Sequence, residues 1–212
     1  MPERYNKAIV IGDVCVDVHL AIRDLLMDDV IKEVPYFITP GGTSGGSAVM
    51  LSKLGVDTSF LGTIGVDYGG RYLKECFEKL KIDTSLMIEK KDLNTINVFA
   101  FIDEQGERHL WGFPRVSQAY VDLDFNAVDI NKIKTASWLH SSGMTLLKQG
   151  SIRESLPLLY KTAYEAGVPT SFDFNTRVKD LSFLDEEAVF AIENILLIEL
   201  ILLIFQFAYQ KN

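Results

Sequence analysis

Short apolar runs and amphipathic helical segments alternate along most of this chain, and that alternation limits its fold more than any other feature. Residues 7–12, 58–64, 136–140 and 170–174 are runs of strand length, each ending at a glycine or a polar turn, and each reads as a buried strand. Between them lie segments of helical period. Residues 48–55 form one, with Gly55 placed to end it in a left-handed cap. Residues 71–80 form another and carry Leu73, Cys76, Phe77 and Leu80 on one side. A third opens at Ser151-Ile152-Arg153-Glu154, which reads as a capping box. It carries Ile152, Leu156, Leu159 and Ala163, and it stops at Gly167 and Pro169. Pro157 falls inside it and predicts a kink. Strands alternating with helices predict an α/β domain with a mainly parallel sheet and helices on both faces.

Two stretches do not fit that sheet. In residues 14–21, Val14, Val16, Val18 and Leu20 alternate with Cys15, Asp17, His19 and Ala21. In residues 95–111, Ile96, Val98, Ala100 and Ile102 alternate with Asn97, Phe99 and Phe101, and the chain returns through Gln105-Gly106 to residues 108–111. Period-two alternation means one covered face and one open face. These stretches predict a small separate β-layer, with Asp17 pointing away from the apolar face and Val98 and Phe99 on opposite faces.

The densest local signal is Gly41-Gly42-Thr43-Ser44-Gly45-Gly46, read as a glycine-rich loop leading into the helix at 48–55. Glycines let a backbone approach a ligand closely, and a helix start offers N–H groups. The loop lacks the Gly-Lys-Ser/Thr ending of a phosphate-binding Walker loop. It also does not match the G-x-G-x-x-G dinucleotide fingerprint. His19, His109 and His140 share no metal-ligand spacing, so no metal site is expected. Cys15 and Cys76 provide neither a disulfide framework nor a zinc spacing, which fits a reducing cytoplasm. A net charge of −8 argues against a nucleic-acid partner but leaves a single nucleotide open. The first residues lead straight into an apolar strand, without the pattern of a secretory signal. Residues 195–208 are strongly apolar but contain Glu199 and fall short of the ~20 residues a spanning helix needs, so no membrane partner is expected.

Several of these segments, taken in order, resemble the ribokinase-like PfkB family of carbohydrate kinases. Residues 9–17, Ile-Val-Ile-Gly-Asp-Val-Cys-Val-Asp, look like the family's opening strand with its substrate aspartate. Pro40-Gly41-Gly42, then Ala48-Val49 and Leu54-Gly55-Val56, look like its first signature. Residues 62–70 look like the loop after its second strand, and Asp173-Phe174-Asn175-Thr176-Arg177 resembles an Asp-Pro-Asn-x-Arg segment without its proline. The resemblance covers about residues 8–185. It implies a three-layer α/β/α domain over residues 1–190, with a β-lid from 14–21 and 95–111. It implies that Asp17, Gly41, Gly42, Thr43, Gly46 and Arg177 meet a sugar, and that Asn175 lies at the cofactor, ATP with Mg2+. It also implies that the lid pairs two copies.

The chain departs from the family pattern at several points. Gly46 and Cys15 stand where family members carry asparagine. The Gly-Ala-Gly-Asp segment that holds the family's catalytic aspartate does not occur, and neither does the Asn-x-x-Glu motif expected near 195–200. Residues 191–212 read as an apolar tail that does not match the family. The expectation is a sugar kinase without its phosphoryl-transfer half, inactive as this chain. The second reading is a non-catalytic module that holds a sugar or dimerises through the lid.

Overall fold

The computed structural model describes residues 6–21, 36–103, 105–114, 116–173 and 175. Strands β1 (Ala8–Ile11), β4 (Thr58–Gly65), β5 (Met87–Lys90), β8 (Trp138–Ser142) and β9 (Thr170–Asp173) form one sheet in the order β5-β4-β1-β8-β9. Every pairing in it is parallel. The central strand β1 is covered on both faces. Ile9 and Ile11 point into a core with Leu61, Leu139, Leu159 and Phe172, while Val10 points into a second core with Phe60, Ile64, Leu73 and Phe77. Helices α3 (Ile130–Lys134) and α4 (Ile152–Glu165) cover the first face through Ile133, Leu156 and Leu159. Helices α1 (Thr43–Lys53) and α2 (Tyr68–Lys79) cover the second through Ala48, Leu73 and Phe77. The result is the three-layer α/β/α architecture expected from the alternation. Strand β5 has no counterpart in the sequence reading: its Met-Ile-Glu-Lys is too short and too polar to stand out, and pairing with β4 alone keeps it extended.

A second sheet of four strands, ordered β3-β2-β6-β7, stands apart from the first. It contains β2 (Cys15–Ala21), β3 (Tyr36–Gly41), β6 (Asn97–Ile102) and β7 (Arg108–Phe113). Strand β2 runs parallel to β6, and both outer pairs are antiparallel. In the register, Asp17 lies opposite Thr39 and Val98, Ala100 opposite Leu110, and Ile102 opposite Arg108. Phe99 and Phe101 lie on the other face, where Phe99 meets Phe113 edge-on at 6.3 Å and Phe101 meets Trp111 at 6.0 Å between ring centroids. Strand β3 ends on Gly41, the first residue of the segment read as a glycine-rich loop.

Three local expectations need correction. Helix α1 begins at Thr43, so Gly45 and Gly46 are helical and little of the glycine-rich loop remains. Helix α2 begins at Tyr68, three residues earlier than read, because Asp67 caps it by accepting from the Gly70 amide at 2.8 Å. The capping box at Ser151 does not form. Ser151 already has helical backbone angles, and its hydroxyl accepts from the Leu123 amide at 2.9 Å instead. Ser155, one turn on, accepts from the Phe125 amide at 3.0 Å. The two hydroxyls therefore fasten the 122–125 segment to α4, which continues through Pro157 to Glu165. Among the described residues no helix is long and apolar enough to cross a membrane. The boundary near 190 and the apolar tail lie outside the described residues.

Candidate functional site

The polypeptide leaves β1 through Gly12, Asp13 and Val14 and enters β2 directly, so the two sheets meet at the C-terminal end of β1. The start of α1 lies against this junction. Asp13 is buried there. One carboxylate oxygen accepts from the Thr43 amide at 2.6 Å; the other accepts from the Ser44 amide at 3.2 Å and the Ser44 hydroxyl at 2.9 Å. The Gly45 amide donates to the Asp13 carbonyl at 3.0 Å, and the Gly46 amide donates to the Gly42 carbonyl at 2.8 Å. The expectation that the start of α1 offers free N–H groups to a ligand is therefore corrected. A helix N-terminus needs acceptors and a buried carboxylate needs donors, and each satisfies the other. Asp13 carries the junction, yet its only mark in the sequence is an acidic residue directly after a buried strand.

Beside this junction, between the second sheet and α1, is a cleft of about 400 Å³. It brings together five of the residues singled out in the sequence: Asp17, Gly41, Gly42, Thr43 and Gly46. A side chain at Gly41 would begin 2.2 Å from the Asp17 carboxylate, so the glycine provides the space that carboxylate occupies. Gly42 has φ +88° and caps α1 where a side chain would strike the Asp13 carbonyl at 2.7 Å, so only glycine fits both constraints. A side chain at Gly46 would meet nothing within 4 Å.

Cys15 lies beside Asp17 in the cleft. Its thiol donates to Asp17 Oδ1 at 3.1 Å. Burial, reinforced by the nearby Asp17 and Asp13 carboxylates, pushes the Cys15 thiol well above its ordinary range, so it stays protonated and remains a donor. Tyr120 also faces the cleft. Burial, with smaller contributions from Asp13 and Cys15, pushes its phenol up to about 12, so it too stays protonated as a potential donor. Nothing in its sequence context marks Tyr120; the fold brings it there from a short turn after β7. His19 lies in the cleft with its ring stacked on Phe37 at 4.3 Å and Nε2 3.1 Å from the Thr39 hydroxyl.

Asn175 reaches the same junction from the end of β9. Its side-chain amide donates to the Thr43 hydroxyl at 3.0 Å, and its backbone N–H donates to Asp173 at 3.0 Å. Arg177 lies outside the described residues. The cleft combines the Asp17 carboxylate, the protonated Cys15 thiol and Tyr120 phenol, and apolar walls from Ile96, Val98, Ala100 and Leu110.

The model for pfkB family carbohydrate kinases matches residues 6–188. A fructokinase of Vibrio alginolyticus is 28% identical over 172 residues, covering 81% of this chain and 52% of its own. A 5-dehydro-2-deoxygluconokinase of Geobacillus thermodenitrificans is 26% identical over 183 residues, covering 86% of this chain and 53% of its own. A crystal structure of fructokinase with bound ATP from Xylella fastidiosa superposes with a TM-score of 0.69 at 22% identity, over 81% of this chain and 53% of that one, a likeness of fold. The chain thus spans about half the length of the curated relatives it matches.

Proposed function

The chain belongs to the pfkB family of carbohydrate kinases, and from that premise we propose that it forms the sugar-holding half of an ATP-dependent sugar kinase. The observation that carries this is the Asp17 carboxylate, set in the cleft with its Oδ1 held by the Cys15 thiol. A carboxylate can accept from two neighbouring hydroxyls of one sugar. Cys15 fixes its orientation, and Gly41 leaves it room to face the ligand. The second sheet lies over the cleft as a lid. Covering the sugar would strengthen each of these hydrogen bonds by excluding water.

Holding the ATP phosphates is not assigned to the described residues. The first amides of α1 would be the natural donors, and Asp13 and Gly42 take them. The Gly-Ala-Gly-Asp segment that would supply a base and further amides does not occur in these 212 residues. Binding and orienting the sugar is the work assigned to this chain's residues, and no transfer step is assigned to them. The expected result is heat of sugar binding in calorimetry, with no ADP release in a coupled assay across hexoses, ribose, nucleosides and sugar acids. Positioning of the phosphoryl group and a general base are both needed for turnover, and the base alone contributes typically about 10²–10⁴-fold. ADP release that scales with the protein and survives repurification would overturn the proposal.

The outer face of the lid completes the proposal. Trp111 and Phe113 are exposed beside Phe99 and Phe101, an aromatic surface suited to a second copy of the same chain. Light scattering is expected to give the mass of a dimer, and Trp111→Glu is expected to return it to a monomer. A wild-type monomer at micromolar concentration would remove this part.

A further inference from the structure

On the second face of the main sheet, α1 packs over β1 and β4. Beyond α1, the floor made by β8 and β9 is left as a groove of about 600 Å³. Trp138 and His140 of β8 and Ser171 of β9 form that floor, because the alternate residues Leu139 and Phe172 point into the first core. Met50, Leu51 and Leu54 of α1 form its wall, with Met50 and Leu54 exposed. Three polar atoms of the floor satisfy one another. Trp138 Nε1 donates to the Ser171 hydroxyl at 2.9 Å, and that hydroxyl lies 2.8 Å from His140 Nδ1. Burial holds the His140 pKa below its ordinary value, against the opposing charge of Asp173, so the imidazole is uncharged at neutral pH. An apolar groove of this kind is stabilised by apolar side chains that exclude water from it.

The chain carries a segment with the matching need. Residues 195–208 are apolar except for Glu199 and Gln206, and they are too few to span a bilayer. At the helical turn of about 100° per residue, Glu199, Gln206 and Gln210 fall on one edge, within about 40° of one another. Leu197, Ile201, Ile204 and Ala208 fall on the opposite edge. A helix over residues 195–208 would be about 21 Å long, enough to run the length of α1. Residues 176–194 lead from β9 to this segment and extend to about 60 Å, more than the ~40 Å width of a domain of this size. A right-handed connection from β9 to a further edge strand would run over the face that α4 covers, and would leave this groove open. We infer that residues 195–208 seat in the groove as a helix beside α1, with the Ile201 edge toward Leu54 and Trp138 and the Glu199 edge in water. The apolar tail that matches no family pattern is thus an internal cover for the sheet. This goes beyond the sugar-holding reading and does not depend on it.

The test uses the full 212-residue chain with Trp111→Phe, which leaves Trp138 as the remaining tryptophan and places it in the groove. Trp138 is expected to emit as a buried indole and to resist quenching by acrylamide. Leu54→Glu on the wall, and Ile201→Glu with Ile204→Glu in the segment, are each expected to shift that emission to the red and open it to acrylamide. Combining them is expected to add nothing further. Leu54 is exposed in the described domain, so its substitution alone disturbs little else. Far-ultraviolet circular dichroism checks folding. A photocrosslinker on Leu54→Cys, in a chain with Cys76→Ser, identifies the occupant even where the glutamate variants fail to fold. Mass spectrometry is expected to place the link within residues 195–208 of the same chain. An open Trp138 emission that neither set of substitutions moves overturns the inference. So does a link to other residues, no link, or a link to an isotope-labelled second copy, which would make the groove an interface between chains. Sugar binding at Asp17 is read separately and stands or falls by itself.

Discussion

Substituting Asp13 by alanine is expected to lower folding stability by about 3–5 kcal/mol, the largest effect of any single change at the site. The carboxylate holds the Thr43 amide, the Ser44 amide and the Ser44 hydroxyl. Ser44 is fully buried, so water cannot replace the lost acceptor. An unpartnered buried donor costs about 1–3 kcal/mol, and the favourable position of a negative charge at a helix start is lost as well. Asp13→Asn keeps one acceptor oxygen and is expected to lose about half as much. Urea unfolding of the three proteins measures this. A loss below about 1 kcal/mol in the alanine variant would show that Asp13 does not hold the junction.

The second large effect is on binding. Asp17→Ala is expected to weaken sugar binding at least about 100-fold, because two charge-assisted hydrogen bonds to buried hydroxyls are worth about 3 kcal/mol or more together. The same change should affect stability little, since among the described residues the bond it removes is the Cys15 thiol contact at 3.1 Å. This separates the two neighbouring aspartates: Asp13 holds the fold and Asp17 holds the ligand. Calorimetry with the best-bound sugar, beside a urea curve, reads both quantities. Unchanged affinity in Asp17→Ala would remove Asp17 from the site.

How much of this was legible beforehand varies by residue. β1, β4, β8 and β9 could be read from their apolar runs because each is buried by the sheet and its helices. Leu73 with Phe77 and Leu156 with Leu159 could be placed on helix faces from spacing alone. β3 and β5 could not. The segment Tyr36–Gly41 has aromatic, proline and glycine residues without a clean alternation, and it is a strand because β2 lies beside it. Ser151 satisfied the pattern of a capping box but spends its hydroxyl on Leu123, a partner 28 residues away that no local pattern shows.

The candidate site divides in the same way. Asp17 and the glycines at 41, 42 and 46 were marked by spacing and by likeness to a family pattern. The reasons for those glycines were not. Gly41 makes room for Asp17, and Gly42 turns under Asp13. Asp13, Tyr120 and Arg108 carry no local mark, and they come together through the junction of two sheets, a short turn and a strand register.

The sequence by itself determined the layered α/β architecture, its parallel strands and its alternating second layer. Those features follow from periodicity and spacing, which are properties of neighbours along the chain. Only the tertiary structure decided that the helix amides belong to Asp13 and that the cleft is lined by Tyr120 and Arg108. Each of these depends on groups far apart in sequence that the fold brings together, and a buried donor there must find an acceptor.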